Sequence, residues 1–198
     1  MNLANKLTIF RIILVPIMII IPFLGINGEL LEIPVEWIIL DAIFIIASIT
    51  DKLDGYIARS RNQVTTFGKF LDPIADKVLV IVAMIMLVEM GKLPAWIPSI
   101  VVFREFVVSG YRLIAVENGG KVIAANIWGK LKTVTQMIAI IVAFIDKNAY
   151  GAVFTGNLTG FNLAINIITT LMMTVCVIAT LFSGWEYIKN GKDLLKDK

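Results

Sequence analysis

The sequence contains no histidine and only one cysteine, Cys176. The missing histidine excludes Ser-His-Asp triads, Cys-His pairs and histidine-ligated metals. A single thiol cannot close an intrachain disulfide or build a cysteine-rich zinc site. Cys176 lies in an apolar run and reads as a buried packing group. Charge is scarce as well: 17% of the 198 residues are Asp, Glu, Lys or Arg, against 58% hydrophobic residues. A soluble domain of this length has too little polar surface to cover that apolar content. No Gly/Ser linker, low-complexity tract or internal repeat interrupts the chain, so residues 1–198 read as a single membrane domain. Nothing in the pattern points to a nucleic-acid partner.

Apolar windows fall at about 9–26, 36–57, 70–90, 95–116, 131–146 and 161–188. A bilayer crossing needs roughly 20 apolar residues, so the expected fold is all-α, a polytopic membrane protein with about six transmembrane helices and an N-terminal interfacial segment. The first window follows Lys6 and Arg11 but lacks a small-residue cleavage site, so it is expected to be retained rather than removed as a signal peptide. An even helix count puts both termini on one side with Lys6, Arg11, Lys52, Arg59, Arg61, Lys69, Lys77, Arg112, Lys121, Lys130, Lys132, Lys189, Lys192, Lys196 and Lys198. The other side holds Lys92 and Lys147. The bias predicts a cell-membrane protein with cytoplasmic termini and a cytoplasmic face that includes residues 51–77.

That stretch, DKLDGYIARSRNQVTTFGKFLDPIADK, carries four aspartates. Asp51 and Asp54 are three residues apart near the end of the second window, and Gly55 and Ala58 share their stripe. Gly68, Asp72 and Asp76 follow at intervals of four, on one face of the third. A short connection predicts antiparallel neighbours whose acidic ends meet. Four carboxylates that close together demand protonation or cations between them. Oxygen donors suit hard divalent ions, and a pair of ions about 3.5–4 Å apart suits displacement at phosphorus. Solvated helix caps are the bland alternative for any one aspartate; four on matched faces beside small residues favour function.

Asp51-x-x-Asp54-Gly55-x-x-Ala58-Arg59, eight residues, then Gly68-x-x-x-Asp72-x-x-x-Asp76 resembles the signature of the CDP-alcohol phosphatidyltransferases. The resemblance implies six transmembrane helices, cytoplasmic termini and a homodimer. It implies that Asp51, Asp54 and Asp72 hold divalent metal, Mg²⁺ or Mn²⁺ and two ions in all, on the diphosphate of a CDP-lipid such as CDP-diacylglycerol. Asp76 is then the general base and a further metal ligand. Gly55 and Ala58 let the cytidine lie against the helix, and Arg59 holds phosphate. Gly68 belongs to the same CDP-lipid pocket, as do Asn5 and Thr8 in the start Asn5-x-Leu7-Thr8-x-x-Arg11. An acceptor hydroxyl attacks the lipid-linked phosphorus and CMP leaves.

The acceptor is read from other residues. Arg104 and Glu105 interrupt the fourth window, where a charged side chain must face the protein and find a partner; Glu105 and Arg112, seven apart, are expected to pair. Lys130 and Lys132 open the fifth window. With Arg104 and Arg112 they form a candidate site for an acceptor phosphate, although interfacial snorkelling accounts equally well for the lysines. Arg104-Glu105-x-x-x-Ser109-Gly110-x-Arg112 resembles the glycerol-3-phosphate-using branch of the family. Rival acceptors are inositol phosphate, serine and phosphatidylglycerol. A small cation transporter and an inactive scaffold are the readings from other classes.

Overall fold

The computed structural model describes residues 2–60, 65–117 and 127–190. Six α-helices account for most of them: α1 (Leu3–Ile20), α2 (Val35–Ser60), α3 (Thr66–Glu89), α4 (Trp96–Glu117), α5 (Ile127–Ile145) and α6 (Gly160–Asn190). The six apolar windows each became one helix. Among the described residues, strand is confined to a hairpin, β1 (Glu29–Leu30) paired antiparallel with β2 (Ile33–Pro34). Its turn places Leu31 and Glu32 at φ 55° and 62°, a left-handed conformation that two-residue hairpin turns require and that side chains other than glycine seldom adopt.

Among the described residues, three helices are long and apolar enough to cross a membrane by length and composition: Leu3–Leu24, Ile127–Ile145 and Gly160–Lys189. The other three have 26, 24 and 22 residues, enough for about 30 Å at ~1.5 Å per residue. Their charged residues lower their hydropathy. The outward faces are apolar throughout, with Ile13, Ile17, Ile20, Ile85, Phe103, Phe106, Leu171 and Phe182 all exposed. Such side chains have a favourable solvent only in lipid.

The chain divides into two compact units, Met1–Leu93 with Ile140–Ala149, and Pro94–Ala139 with Tyr150–Lys198. In the first, α1 packs extensively on both α2 and α3, which touch each other less. Leu14 and Met18 of α1, Leu40, Phe44 and Ala47 of α2, and Leu79, Ala83 and Leu87 of α3 form its core. The expected neighbours α2 and α3 are thus bridged by α1, whose N-terminal turns are the segment expected at the interface. Asn2 caps α1 by accepting from the Asn5 amide at 3.0 Å, and Thr65 caps α3 by accepting from the Gly68 amide at 3.0 Å.

The second unit is built on α4 against α6, around Val101, Val108, Met173, Cys176 and Ala179. Cys176 is buried and free, as its apolar surroundings predict. Trp128 stacks on Phe182 with ring centres 5.0 Å apart.

Candidate active site

The signature residues converge in the first unit around a side chain from α1. Arg11 is fully buried, and its guanidinium donates to three of the four aspartates. Nη1 lies 3.0 Å from Asp51 Oδ1 and also pairs with Asp76 Oδ1, while Nη2 pairs with Asp54 Oδ2. The fourth, Asp72, accepts the Thr8 hydroxyl at 2.7 Å, and that hydroxyl is 3.4 Å from Asp54 Oδ2. Asp54 is buried, Asp51 and Asp72 are half-buried, and the Asp76 side chain is 42% exposed. The cage therefore has a dry inner wall at Asp54 and an open side at Asp76.

Asn5 and Thr8 both project from α1, Thr8 onto Asp72 and Asp54 and Asn5 onto the cap of α3. Asn5 accepts from the Thr65 hydroxyl at 2.9 Å, which ties the first turn of α1 to the cap of α3. Gly68 lies under this junction: a Cβ there would stand 3.3 Å from both Asn5 Oδ1 and Thr65 Oγ1. The glycine is what lets α1 approach α3 closely enough for Thr8 to reach Asp72. Gly55 is half-buried on α2, one residue after Asp54. Ala58 and Arg59 continue α2, but their side chains lie outside the described residues.

In the sequence Arg11 marks the cytoplasmic side and closes the start Asn5-x-Leu7-Thr8-x-x-Arg11, with no role of its own at the acids. Its signal was its position: Asn5, Thr8 and Arg11 recur at intervals of three, on adjoining faces of one helix. The cation demanded between the acids is, in this structure, the guanidinium. Among the described residues no three acidic side chains gather with the spacing of an ion's shell. The donor set is nonetheless all oxygen and strongly anionic, which fits a hard divalent ion such as Mg²⁺.

The second unit holds the expected acceptor-binding residues. Arg104 is largely buried and donates through Nη1 to Glu105 Oε1 at 2.8 Å and through Nη2 to the Ser183 hydroxyl of α6. Lys132, also buried, donates to the same Glu105 oxygen at 2.7 Å. The expected Glu105–Arg112 pair is replaced by this arrangement. Seven residues separate the two by about 10 Å of helix rise, whereas Arg104 and Lys132 are within contact. Arg112 instead donates to the Tyr187 hydroxyl at 2.8 Å, with its guanidinium 5.6 Å from the ring centre. Lys130 is exposed. Arg104, Glu105 and Lys132 together carry a net positive charge, as a site for a small phosphorylated molecule requires.

A family model described as CDP-alcohol phosphatidyltransferase matches residues 1–182. The chain belongs to the CDP-alcohol phosphatidyltransferase family. It is 43% identical, over 98% of its length and 97% of the relative's, to a CDP-diacylglycerol–glycerol-3-phosphate 3-phosphatidyltransferase of Bacillus subtilis. A protein of the same description from Haemophilus influenzae is 36% identical over 99% of this chain and 96% of its own. A probable phosphatidylglycerophosphate synthase of Mycobacterium tuberculosis is 35% identical over 94% and 80%. In this member of the family, the signature aspartates from α2 and α3 are drawn together by a third helix outside the signature.

Proposed function

We propose that the chain is an integral membrane transferase that moves the phosphatidyl group of CDP-diacylglycerol to glycerol-3-phosphate, giving phosphatidylglycerophosphate and CMP. The observation that carries this reading is the meeting of Asp51, Asp54, Asp72 and Asp76 at one buried-to-open cage, in a family member whose full-length relatives bear that description. Residues 1–198 make up a single catalytic membrane domain. The helices cross the membrane about six times, with the termini and the cage on the cytoplasmic side, as the lysine and arginine bias argues. The homodimer implied by the resemblance belongs to the same proposal.

Asp51, Asp54, Asp72 and Asp76 would hold the divalent cations, Mg²⁺ or Mn²⁺, which when bound supply charge neutralisation to the diphosphate. Thr8 and Asn5 line the CDP-lipid pocket from α1. Gly55, Ala58 and Gly68 keep its floor free of side-chain bulk, and Arg59 holds a phosphate oxygen. Asp76, the most open of the cage carboxylates at Arg11, takes the proton from the glycerol hydroxyl as that oxygen attacks phosphorus. Arg104, Arg112, Lys130 and Lys132 hold the acceptor's own phosphate, with Glu105 fixing Arg104 and Lys132 in place. Rate enhancement comes chiefly from positioning and charge complementarity rather than from covalent chemistry on the protein.

The test is an acceptor panel. Purified protein with CDP-diacylglycerol and Mg²⁺ is offered glycerol-3-phosphate, inositol phosphate, serine or phosphatidylglycerol, and CMP is measured. Release with glycerol-3-phosphate alone is expected. Release only with another acceptor would reassign the substrate, and ion flux without lipid product would favour transport.

A further inference from the structure

We infer that Arg11 is a resident counter-cation, holding three of the four cage acids together before metal arrives and competing with metal for the same oxygens. The inference rests on the proposed role of the aspartates as metal ligands. Its starting point is an electrostatic necessity. Four carboxylates drawn to one site from α2 and α3 would push those helices apart or take up protons. A fully buried guanidinium among them offsets part of that penalty, and its planar fork serves several carboxylates at once. Four carboxylates and one guanidinium still leave a formal charge of −3, enough to attract a divalent ion.

The competition follows from the atoms involved. Arg11 takes Asp51 Oδ1, Asp54 Oδ2 and Asp76 Oδ1, and among the described residues no three acidic side chains are grouped as an ion's shell needs. A divalent ion using them must displace the Arg11 Nη donors. The guanidinium is also incompletely satisfied, because its buried Nε has no hydrogen-bond partner among the described residues. A buried donor without an acceptor is costly, so the pose is easier to leave than its ion pairs alone imply. An anionic oxygen arriving with the substrate would satisfy that donor.

The experiment measures Mn²⁺ binding to the full chain in detergent, without CDP-lipid, by electron paramagnetic resonance, in the wild type and in Arg11→Gln and Arg11→Lys. Arg11→Gln should bind Mn²⁺ at least about tenfold more tightly, equivalent to about 1.4 kcal/mol. Its melting temperature in EDTA should fall and be restored by saturating Mn²⁺. Arg11→Lys keeps the charge with fewer donors and should show both effects in smaller measure. Should Arg11→Gln not fold without metal, Arg11→Lys carries the comparison. Unchanged or weaker Mn²⁺ binding in the variant measured, with clear binding by the wild type, would overturn the inference and leave the metal reading standing. No Mn²⁺ binding by any of the proteins would overturn both.

Discussion

The Thr8 hydroxyl donates to Asp72 across 2.7 Å, joining an uncharged turn of α1 to an acid of α3. Thr8 is 1% exposed, so Thr8→Val would leave the Asp72 carboxylate without this donor beside a dry wall. A lost buried hydrogen bond costs about 1–3 kcal/mol. Thr8→Val should lower the melting temperature and cut kcat/KM for CDP-diacylglycerol by ten-fold or more, and Thr8→Ser should retain both. Steady-state CMP release and a thermal melt in detergent check this.

Gly68 offers a test in which two effects oppose each other. Replacing a helical glycine with alanine gains up to about 1 kcal/mol in helix propensity. Here the new methyl would meet Asn5 Oδ1 and Thr65 Oγ1 at 3.3 Å. Those two atoms are pinned to each other at 2.9 Å, and Thr65 is pinned to the Gly68 amide at 3.0 Å, so neither yields easily. Gly68→Ala should therefore melt lower than wild type. Adding Asn5→Ala should restore part of the loss, and a double-mutant cycle reads the coupling.

Asp76→Asn separates the base from the donor pocket. It keeps the side chain's size and removes its ability to take a proton. General-base catalysis contributes about 10²–10⁴-fold, so kcat should fall by that order while CDP-diacylglycerol still binds, as measured by isothermal titration. Near-wild-type turnover would remove Asp76 as the base.

Lys132 tests the acceptor site in the second unit. Lys132→Met keeps the stem's packing and removes the charge paired with Glu105 at 2.7 Å. The expected outcome is a KM for glycerol-3-phosphate raised about ten-fold or more with that for CDP-diacylglycerol little changed, the pattern of lost binding to one substrate.

Lys92, in the turn after α3, gives a pH dependence away from the cage. It is buried, donates to the carbonyls of Ala143 and Phe144 at 2.9 and 2.7 Å, and sits 3.5 Å from the Trp37 ring centre. Burial pushes its ammonium down to about 7 from 10.5, against the pull of Asp146 and Asp41. Between those values the unfolded chain binds a proton that the folded chain does not, so stability rises with pH across that window. Melting temperature should increase from pH 7 to pH 9, and Lys92→Met should flatten the rise.

The helix count and the acid cluster were legible because both rest on local patterns: apolar windows of bilayer length, and aspartates at intervals of three and four on two neighbouring helices. Arg11 was not legible in the same way. Its partners Asp51, Asp54 and Asp76 lie forty residues and more downstream, and a basic residue near the N-terminus of an apolar segment usually marks the cytoplasmic side. Glu105 shows the same limit. Periodicity offered Arg112 as its partner, whereas the partner from another helix, Lys132, is fixed by packing that no spacing rule contains. The Leu31–Glu32 turn escaped because neither residue favours a positive φ.

The outward isoleucines, leucines and phenylalanines have a practical corollary. Stripped of amphiphile, these belts would find their next best solvent in other copies of the chain, and aggregation would hide every binding constant discussed above. The choice of micelle or nanodisc is thus a thermodynamic variable of this protein, to be held as constant as temperature or ionic strength.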